Sequence, residues 1–187
     1  MPYPACHDIR VFTFRGDRSP RFSAMFLRKL LDERSGAGPG PTSHECLLHA
    51  GHTGVSTDGG AAIWAFNPDG AGLKICDLLD RLKRGEAFPG IVRDDRTVFA
   101  AAHLQGLSVQ TFDVRYPNFS FDRFKAKLDS ERERSNYSYG FPNGDGDCNC
   151  TTWLERLGLP LLTGRINEFV ALTGFIAYPT RRFGKCS

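Results

Sequence analysis

Short stretches of alternating or continuous apolar residues separate longer stretches in which apolar residues recur at helical spacing. The former pattern is typical of strands and the latter of amphipathic helices. The stretches that predict strands are 9–16, 45–57, 61–68, 97–104 and 107–117. The stretches that predict helices are 22–33, 73–85, 119–134 and 148–158.

The order of these stretches predicts an α+β fold, in which helices pack on an antiparallel sheet. Glycine-containing turns at 58–61 and 105–106 would each close a hairpin between two of the predicted strands. A loop rich in glycine and proline is expected over 35–43. With 187 residues, the chain is expected to form a single domain, 1–187, that buries most of its apolar surface.

Charge and hydropathy argue against some classes of function. The formal net charge is +3, and Lys and Arg are spread along the chain, so no nucleic-acid partner is expected. No apolar run approaches the roughly 18 residues of a membrane span, and the N-terminus lacks the apolar region of a signal peptide. We therefore expect a cytoplasmic protein, or one secreted without a cleaved signal peptide, as a bacterial effector would be. The six cysteines are expected to be reduced.

The start of the predicted helix 148–158 offers a candidate nucleophile. Asp147 or Asn149 would cap this helix, because short polar side chains accept hydrogen bonds from its first N–H groups. Helical spacing would point Cys150 toward the protein body and Cys148 toward solvent. In the first turn of a helix, the unpaired N–H groups and the helix dipole favour an anion. They would therefore lower the pKa of the Cys150 thiol.

The candidate partner of this thiol is His52, in the predicted hairpin 45–68. Counting back from the turn pairs Val55 with Trp64 and His52 with Asn67. The Asn67 amide could then hold one nitrogen of the imidazole and fix its tautomer. The other nitrogen would be free to take a proton from a thiol.

The segments GHTGVSTDGGAAIWAFNP and CNCTTWLERLGLP together resemble the circularly permuted papain-like cysteine enzymes. This superfamily is related to NlpC/P60 and includes the lecithin:retinol acyltransferase, PPPDE and YaeF/YiiX-like groups. In its members the catalytic histidine precedes the catalytic cysteine, as His52 precedes Cys150 here. The resemblance covers 49–68 and 137–160, and the additional Cys148 departs from it. The third polar residue varies in the superfamily, so Asn67 is a candidate from register alone.

The resemblance implies a permuted papain-like core and a cysteine-dependent hydrolase (peptidase or amidase) or acyltransferase. Cys150 would attack an amide, isopeptide or ester carbonyl, with His52 as the base and Asn67 orienting it, to form an acyl-enzyme. The backbone N–H groups of Cys150 and Asn149 would hold the oxyanion. The substrate would be a peptide, a protein or a lipid. No metal or other cofactor is expected.

Three other functions compete with this hypothesis. A zinc module would use the metal-type side chains of the chain, which are Cys46, His49, His52, Cys148 and Cys150. Their Cys-x-Cys and His-x-x-His spacings fit no common structural zinc pattern. A calcium loop would use the alternating oxygen ligands Asn143, Asp145, Asp147 and Asn149, but it lacks the glycine at position 6 and the glutamate at position 12. The third alternative is a non-catalytic binding domain on the same fold.

Overall fold

The computed structural model describes residues 9–113, 120–141 and 145–159. These residues form a six-stranded antiparallel sheet with helices packed on it, which confirms the α+β class. The strands are β1 (Arg10–Arg15), β2 (Gly51–Ser56), β3 (Trp64–Pro68), β4 (Phe88–Asp94), β5 (Gln110–Asp113) and β6 (Ser138–Tyr139). The helices are α1 (Pro20–Ser35), α2 (Ser43–Ala50), α3 (Ile75–Lys83), α4 (Arg96–Leu104), α5 (Phe121–Glu133) and α6 (Cys150–Arg156).

The strand order is β5-β1-β2-β3-β4-β6, so β2 and β3 occupy the middle of the sheet. β1 pairs with β2 along its whole length, from Arg10 opposite Ser56 to Arg15 opposite Gly51. β2 pairs with β3 at Val55 and Trp64, which confirms this pair of the predicted register, whereas His52 and Asn67 are not paired in the sheet.

Side chains alternate between the two faces of the sheet and build a core on each. Val11 and Val55 belong to a core that is closed by Leu128 of α5 and Trp153 of α6. Phe14 belongs to the core of the other face. The side chains that close this second core are Phe22 of α1, Leu48 of α2, and Val98, Phe99 and Ala102 of α4. Both middle strands are consequently covered on both sides, and all of β2 is buried.

Two predicted strands are wrong. The stretch 97–104 is the helix α4, so it forms no hairpin with β5, which instead pairs with β1. The stretch 45–57 is divided, because its first part belongs to helix α2 and only Gly51–Ser56 is a strand. A short apolar run fits a buried helix as well as a strand, and periodicity alone does not separate them.

The residues at the start of α2 could have identified this segment as a helix. Thr42 and Glu45 form a capping box, in which each side chain bonds to the backbone of the other residue. A Thr-x-x-Glu spacing is the sequence signature of such a start.

β4 and β6 were not predicted. β4 contains Pro89 and Gly90, which normally argue against a strand.

The four predicted helices are confirmed as α1, α3, α5 and α6, with ends that differ by a few residues. Residues 114–117 of the last predicted strand lie outside the described residues, as do 1–8 and 160–187 of the predicted single domain. All four described cysteines carry free thiols, whereas Cys6 and Cys186 lie outside the described part. None of the described helices is both long and apolar enough to cross a membrane.

Gly90 is a packing constraint on the core beneath α6. A Cβ atom at this position would lie 2.0 Å from two atoms of the Phe66 ring and 2.6 Å from the Tyr137 carbonyl oxygen. Phe66 is fully buried and stacks on Trp153, with ring centroids 5.6 Å apart. Phe66 has little freedom to move away from such an atom.

We predict that Gly90→Ala lowers the free energy of unfolding by about 1–3 kcal/mol, because the new methyl group overpacks the Phe66 site. The control is Gly38→Ala, where the new atom would make only an ordinary contact of 3.5 Å with Asp32. Urea denaturation measures both changes. Equal stability of the two variants would contradict the tight packing at Phe66.

Candidate active site

The start of α6 is fixed by its cap. The Asn149 side chain accepts hydrogen bonds from the N–H groups of Thr151 and Thr152, both at 3.0 Å. In return, the Thr152 hydroxyl accepts the Asn149 N–H at 2.8 Å. Of the two capping candidates, Asn149 is therefore the cap, and Asp147 instead bonds to Ser138. Cys150 is the first residue of the helix.

The segment that leads into α6 lies against the end of the sheet. Cys148 donates its N–H to the Ser138 carbonyl at 3.2 Å, and its carbonyl accepts the Gly140 N–H at 3.0 Å. Gly140 and Gly146 pack backbone against backbone. A Cβ at Gly140 would lie 2.6 Å from the Gly146 Cα, and one at Gly146 would lie 2.4 Å from the Gly140 Cα. Side chains are thus excluded from this crossing.

The first residue of α6 approaches the sheet where β2 and β3 stop pairing. Their paired register is Val55 opposite Trp64. Closer to the start of β2, the backbone N–H of Thr53 interacts with the Cys150 sulfur and lowers the pKa of the thiol. α6 contacts both strands, and the Cys150 side chain stays partly exposed. Cys150 is therefore not sealed within the core.

His52 lies beside Thr53 on β2 and is completely buried. Its Nε2 atom forms a 2.8 Å hydrogen bond with Oδ2 of Asp95, and its ring stacks on Phe99 with centroids 5.7 Å apart. Its Nδ1 atom is buried and meets no partner at full hydrogen-bond geometry among the described residues. Since Nε2 is occupied, Nδ1 is the nitrogen left for the Cys150 thiol, which interacts with the ring.

The prediction that Asn67 holds the imidazole is corrected by these contacts. The Asn67 amide nitrogen donates to Asp95 Oδ2 at 2.8 Å and to the Ala65 carbonyl at 3.2 Å. Asn67 therefore orients the carboxylate that in turn orients His52. The register placed Asn67 in the right part of the sheet, but Asp95 reaches the ring nitrogen from the next segment along the chain.

Asp95 is the functional residue that the sequence interpretation missed. It follows β4 and stands at the N-cap position of α4, but its side chain makes no cap hydrogen bond. Asp94 bonds to the first N–H of that helix, on Arg96, at 3.2 Å. An acidic pair ahead of an apolar helical run is a recognisable helix start, and that signal could have drawn attention to both carboxylates.

The pKa values of the thiol and the imidazole shift in the directions that favour an ion pair. Burial alone lowers the pKa of His52, but the bond to Asp95 and the neighbouring Cys150 outweigh it and raise the pKa to about 9. Burial alone raises the pKa of Cys150, but His52, the Thr151 hydroxyl and the Thr53 N–H outweigh it, so the thiol pKa falls below its ordinary value. Burial likewise raises the Asp95 pKa, and its bonds to His52 and Asn67 bring it below the ordinary range.

Cys148 differs from Cys150 in every respect that matters for reactivity. The prediction that it faces solvent is wrong, because its side chain is only 4% exposed and belongs to the core beneath α6. Burial, together with the Asp147 charge, raises the pKa of the Cys148 thiol to about 12. Cys148 is therefore a core residue with an inert thiol.

Of the two predicted oxyanion donors, the N–H groups of Asn149 and Cys150, the structure rules out the first. The Asn149 N–H is already bound to the Thr152 hydroxyl, so it is not available to a substrate. The cap also uses the N–H groups of Thr151 and Thr152. The N–H of Cys150 is the one in this first turn that the cap does not use.

The described residues contain no group of three or more metal-type side chains positioned to hold a metal ion. His49 is on α2, where its Nε2 lies 3.3 Å from an Arg18 nitrogen and its ring stacks on Phe26. Of the calcium-loop candidates, Asn143 lies outside the described residues, and Asp147 and Asn149 hold the backbone near α6. These side chains serve local structure.

No protein-family model, curated protein or solved structure matches the chain. The function of the chain must therefore be inferred from the geometry of the site. Its elements are a cysteine at a helix start, a buried imidazole, and a buried carboxylate on the Nε2 atom of that imidazole.

We predict that Asp95→Asn lowers the pKa of His52 from about 9, because burial then acts without an opposing carboxylate. An NMR titration of the imidazole measures this value. The control is Asp94→Asn, which removes the neighbouring carboxylate that bonds to Arg96 and not to His52. An unchanged His52 pKa in Asp95→Asn would refute the assigned contact.

Proposed function

We propose that the chain is a cysteine-dependent hydrolase or acyltransferase that acts on an amide, isopeptide or ester bond. Cys150 is the nucleophile, His52 the general base and acid, and Asp95 the residue that orients His52. The observation that carries the proposal is the 2.8 Å bond of the buried His52 to Asp95, on an imidazole that lowers the pKa of the neighbouring Cys150 thiol. A nucleophile, a base and an orienting group in series are the general requirement for covalent catalysis of acyl transfer.

In the first half of the reaction, His52 takes the thiol proton and the Cys150 sulfur attacks the substrate carbonyl carbon. A C–S bond forms while the carbonyl oxygen gains the electron pair. The Cys150 N–H donates to this oxyanion, and one such donor contributes about 3 kcal/mol to barrier reduction. The imidazolium of His52 then gives its proton to the leaving amine or alcohol, and the bond to that group breaks.

In the second half, His52 removes a proton from water or from an acceptor amine or alcohol. That oxygen or nitrogen attacks the thioester, the C–S bond breaks and the thiol of Cys150 is restored. Water makes the reaction a hydrolysis, and any other acceptor makes it an acyl transfer. Throughout, Asp95 stabilises the imidazolium by accepting a hydrogen bond from its Nε2–H group, and Asn67 holds the carboxylate in place.

We also propose that the fold is of the circularly permuted papain-like type, with a peptide, protein or lipid as the acyl donor. Two features support this assignment. The histidine strand β2 precedes the cysteine helix α6 in the chain, and the first residue of that helix packs against the histidine strand. The bond of Nε2 to Asp95 also leaves Nδ1 as the imidazole nitrogen available to the sulfur.

We predict that iodoacetamide modifies Cys150 well below the ordinary thiol pKa of about 8.5. Cys46 and Cys148 should react far more slowly there, because burial raises the pKa of each to about 12. His52→Gln should shift the Cys150 midpoint upward, while His49→Gln should leave it unchanged. Peptide mass mapping across pH measures all of these rates. A His52→Gln variant with the native Cys150 midpoint would refute the pair.

We predict that aryl ester or thioester probes leave a covalent acyl group on Cys150, which mass spectrometry detects. Cys150→Ser should abolish the adduct. Turnover should decline as pH rises through about 9, because His52 then loses the proton that it must donate, whereas alkylation of the thiolate should not decline.

An alkylatable Cys150 that accepts no acyl group from ester, thioester or amide probes would contradict the enzyme proposal. That outcome would favour a non-catalytic binding domain.

A further inference from the structure

Three buried threonine hydroxyls form a chain between the histidine strand and the cysteine helix. Thr13 on β1 lies 3.2 Å from Thr53 on β2, measured between the two Oγ1 atoms. Thr53 Oγ1 lies 3.2 Å from Thr151 Oγ1 on α6. All three side chains are at most 3% exposed, so water does not compete for these hydroxyls.

Both ends of this chain meet an acceptor that belongs to the proposed catalytic pair. At one end, the Thr13 hydroxyl lies 3.3 Å from the backbone carbonyl oxygen of His52. At the other end, the Thr151 hydroxyl lies 3.9 Å from the Cys150 sulfur. Four contacts thus connect the carbonyl oxygen to the sulfur through three hydroxyl groups.

Hydrogen counting restricts how these contacts can be filled. Each threonine hydroxyl has one hydrogen to donate, so three hydrogens serve four contacts. When both contacts between threonines are filled, the chain can therefore donate to only one of its two terminal acceptors. When Cys150 is a neutral thiol, sulfur is a weak acceptor, and the hydrogens run toward the His52 carbonyl. When Cys150 is a thiolate, sulfur is a charged and much stronger acceptor, and the hydrogens run toward it.

We propose that Thr13, Thr53 and Thr151 form a reversible hydrogen-bond relay that turns toward Cys150 when its thiol ionises and so stabilises the nucleophile. As the S–H bond breaks and its proton moves to Nδ1 of His52, the three hydroxyl groups rotate. Thr13 then donates to Thr53, Thr53 to Thr151, and Thr151 to the sulfur. No hydrogen is gained or lost by the threonines. Thr151 touches the reacting atom, whereas Thr13 is a positioning residue.

The relay predicts opposite effects at its two ends. Removing the Thr151 hydroxyl takes a donor away from the thiolate, which raises the pKa of Cys150. Removing the Thr13 hydroxyl takes away the path to the competing His52 carbonyl, so Thr53 and Thr151 stay turned toward the sulfur. That change stabilises the thiolate relative to the thiol and lowers the pKa of Cys150. A purely structural role would not give opposite signs.

The other titratable groups near the sulfur are unchanged by these substitutions. They are His52 on β2, Tyr139 on β6 and Cys148 before α6, with Asp95 acting through His52. The inference rests on the proposed role of Cys150 as a nucleophile, but its test needs only the ionisation of the thiol and no substrate.

The test compares Thr151→Val and Thr13→Val by the pH dependence of Cys150 alkylation in the full chain. Valine keeps the shape of threonine and removes the hydroxyl. We expect the midpoint to rise by roughly 0.5–1 pH unit in Thr151→Val, the effect of one lost hydrogen bond, and to fall in Thr13→Val. Below the midpoint, the former corresponds to alkylation roughly three- to tenfold slower. Thr151→Ser, which keeps the hydroxyl, should retain the native midpoint.

Circular dichroism checks that each variant is folded, and alanine replaces valine at a position where the valine variant unfolds, with the same expected sign. Midpoints that move together, or that do not move, would overturn the relay. His52→Gln separates this result from the proposed function. If that variant raises the midpoint while the threonine variants behave alike, the relay alone fails. If it leaves the midpoint unchanged, the proposed function fails as well.

Discussion

The buried carboxylate of Asp95 is the constraint on which the arrangement of the site depends. An ionised carboxylate away from water is costly unless it is paired and hydrogen-bonded. Here one oxygen receives both the His52 ring nitrogen and the Asn67 amide at 2.8 Å. The requirement to satisfy this charge thus brings β2, β3 and the start of α4 to one point. It also fixes which nitrogen of His52 remains available to the sulfur.

This arrangement is possible because the adjacent Asp94 and Asp95 make different contacts. Asp94 bonds to the N–H groups of Ile63 and Arg96 and so supports the turn and the helix start. Asp95 is released from the usual capping task and turns into the protein instead. The two cysteines on either side of Asn149 differ in the same way. Cys148 fills the core, while Cys150 lies by the imidazole, so position relative to the helix start decides which thiol has the lowered pKa.

The sequence predicted the parts of the site that local patterns encode. A turn at 58–61 set the register that pairs Val55 with Trp64, and a capping residue before an apolar helical face located Cys150. Asp95 was not predicted because its position depends on β4. Pro89 and Gly90 in that strand normally argue against a strand assignment. The position of Asp95 depends also on α4, whose apolar run resembles a strand. Contacts between segments far apart in the chain carry no periodic signature, so they cannot be deduced from spacing.

The crossing of Gly140 and Gly146 gives the molecule a mechanical property of its own. These backbones touch with no space for a methyl group, only a few residues ahead of the reactive sulfur. A bulkier residue at either position would push the two backbone segments apart and displace the start of α6. The placement of Cys150 therefore depends on two glycines that take no part in the proposed chemistry.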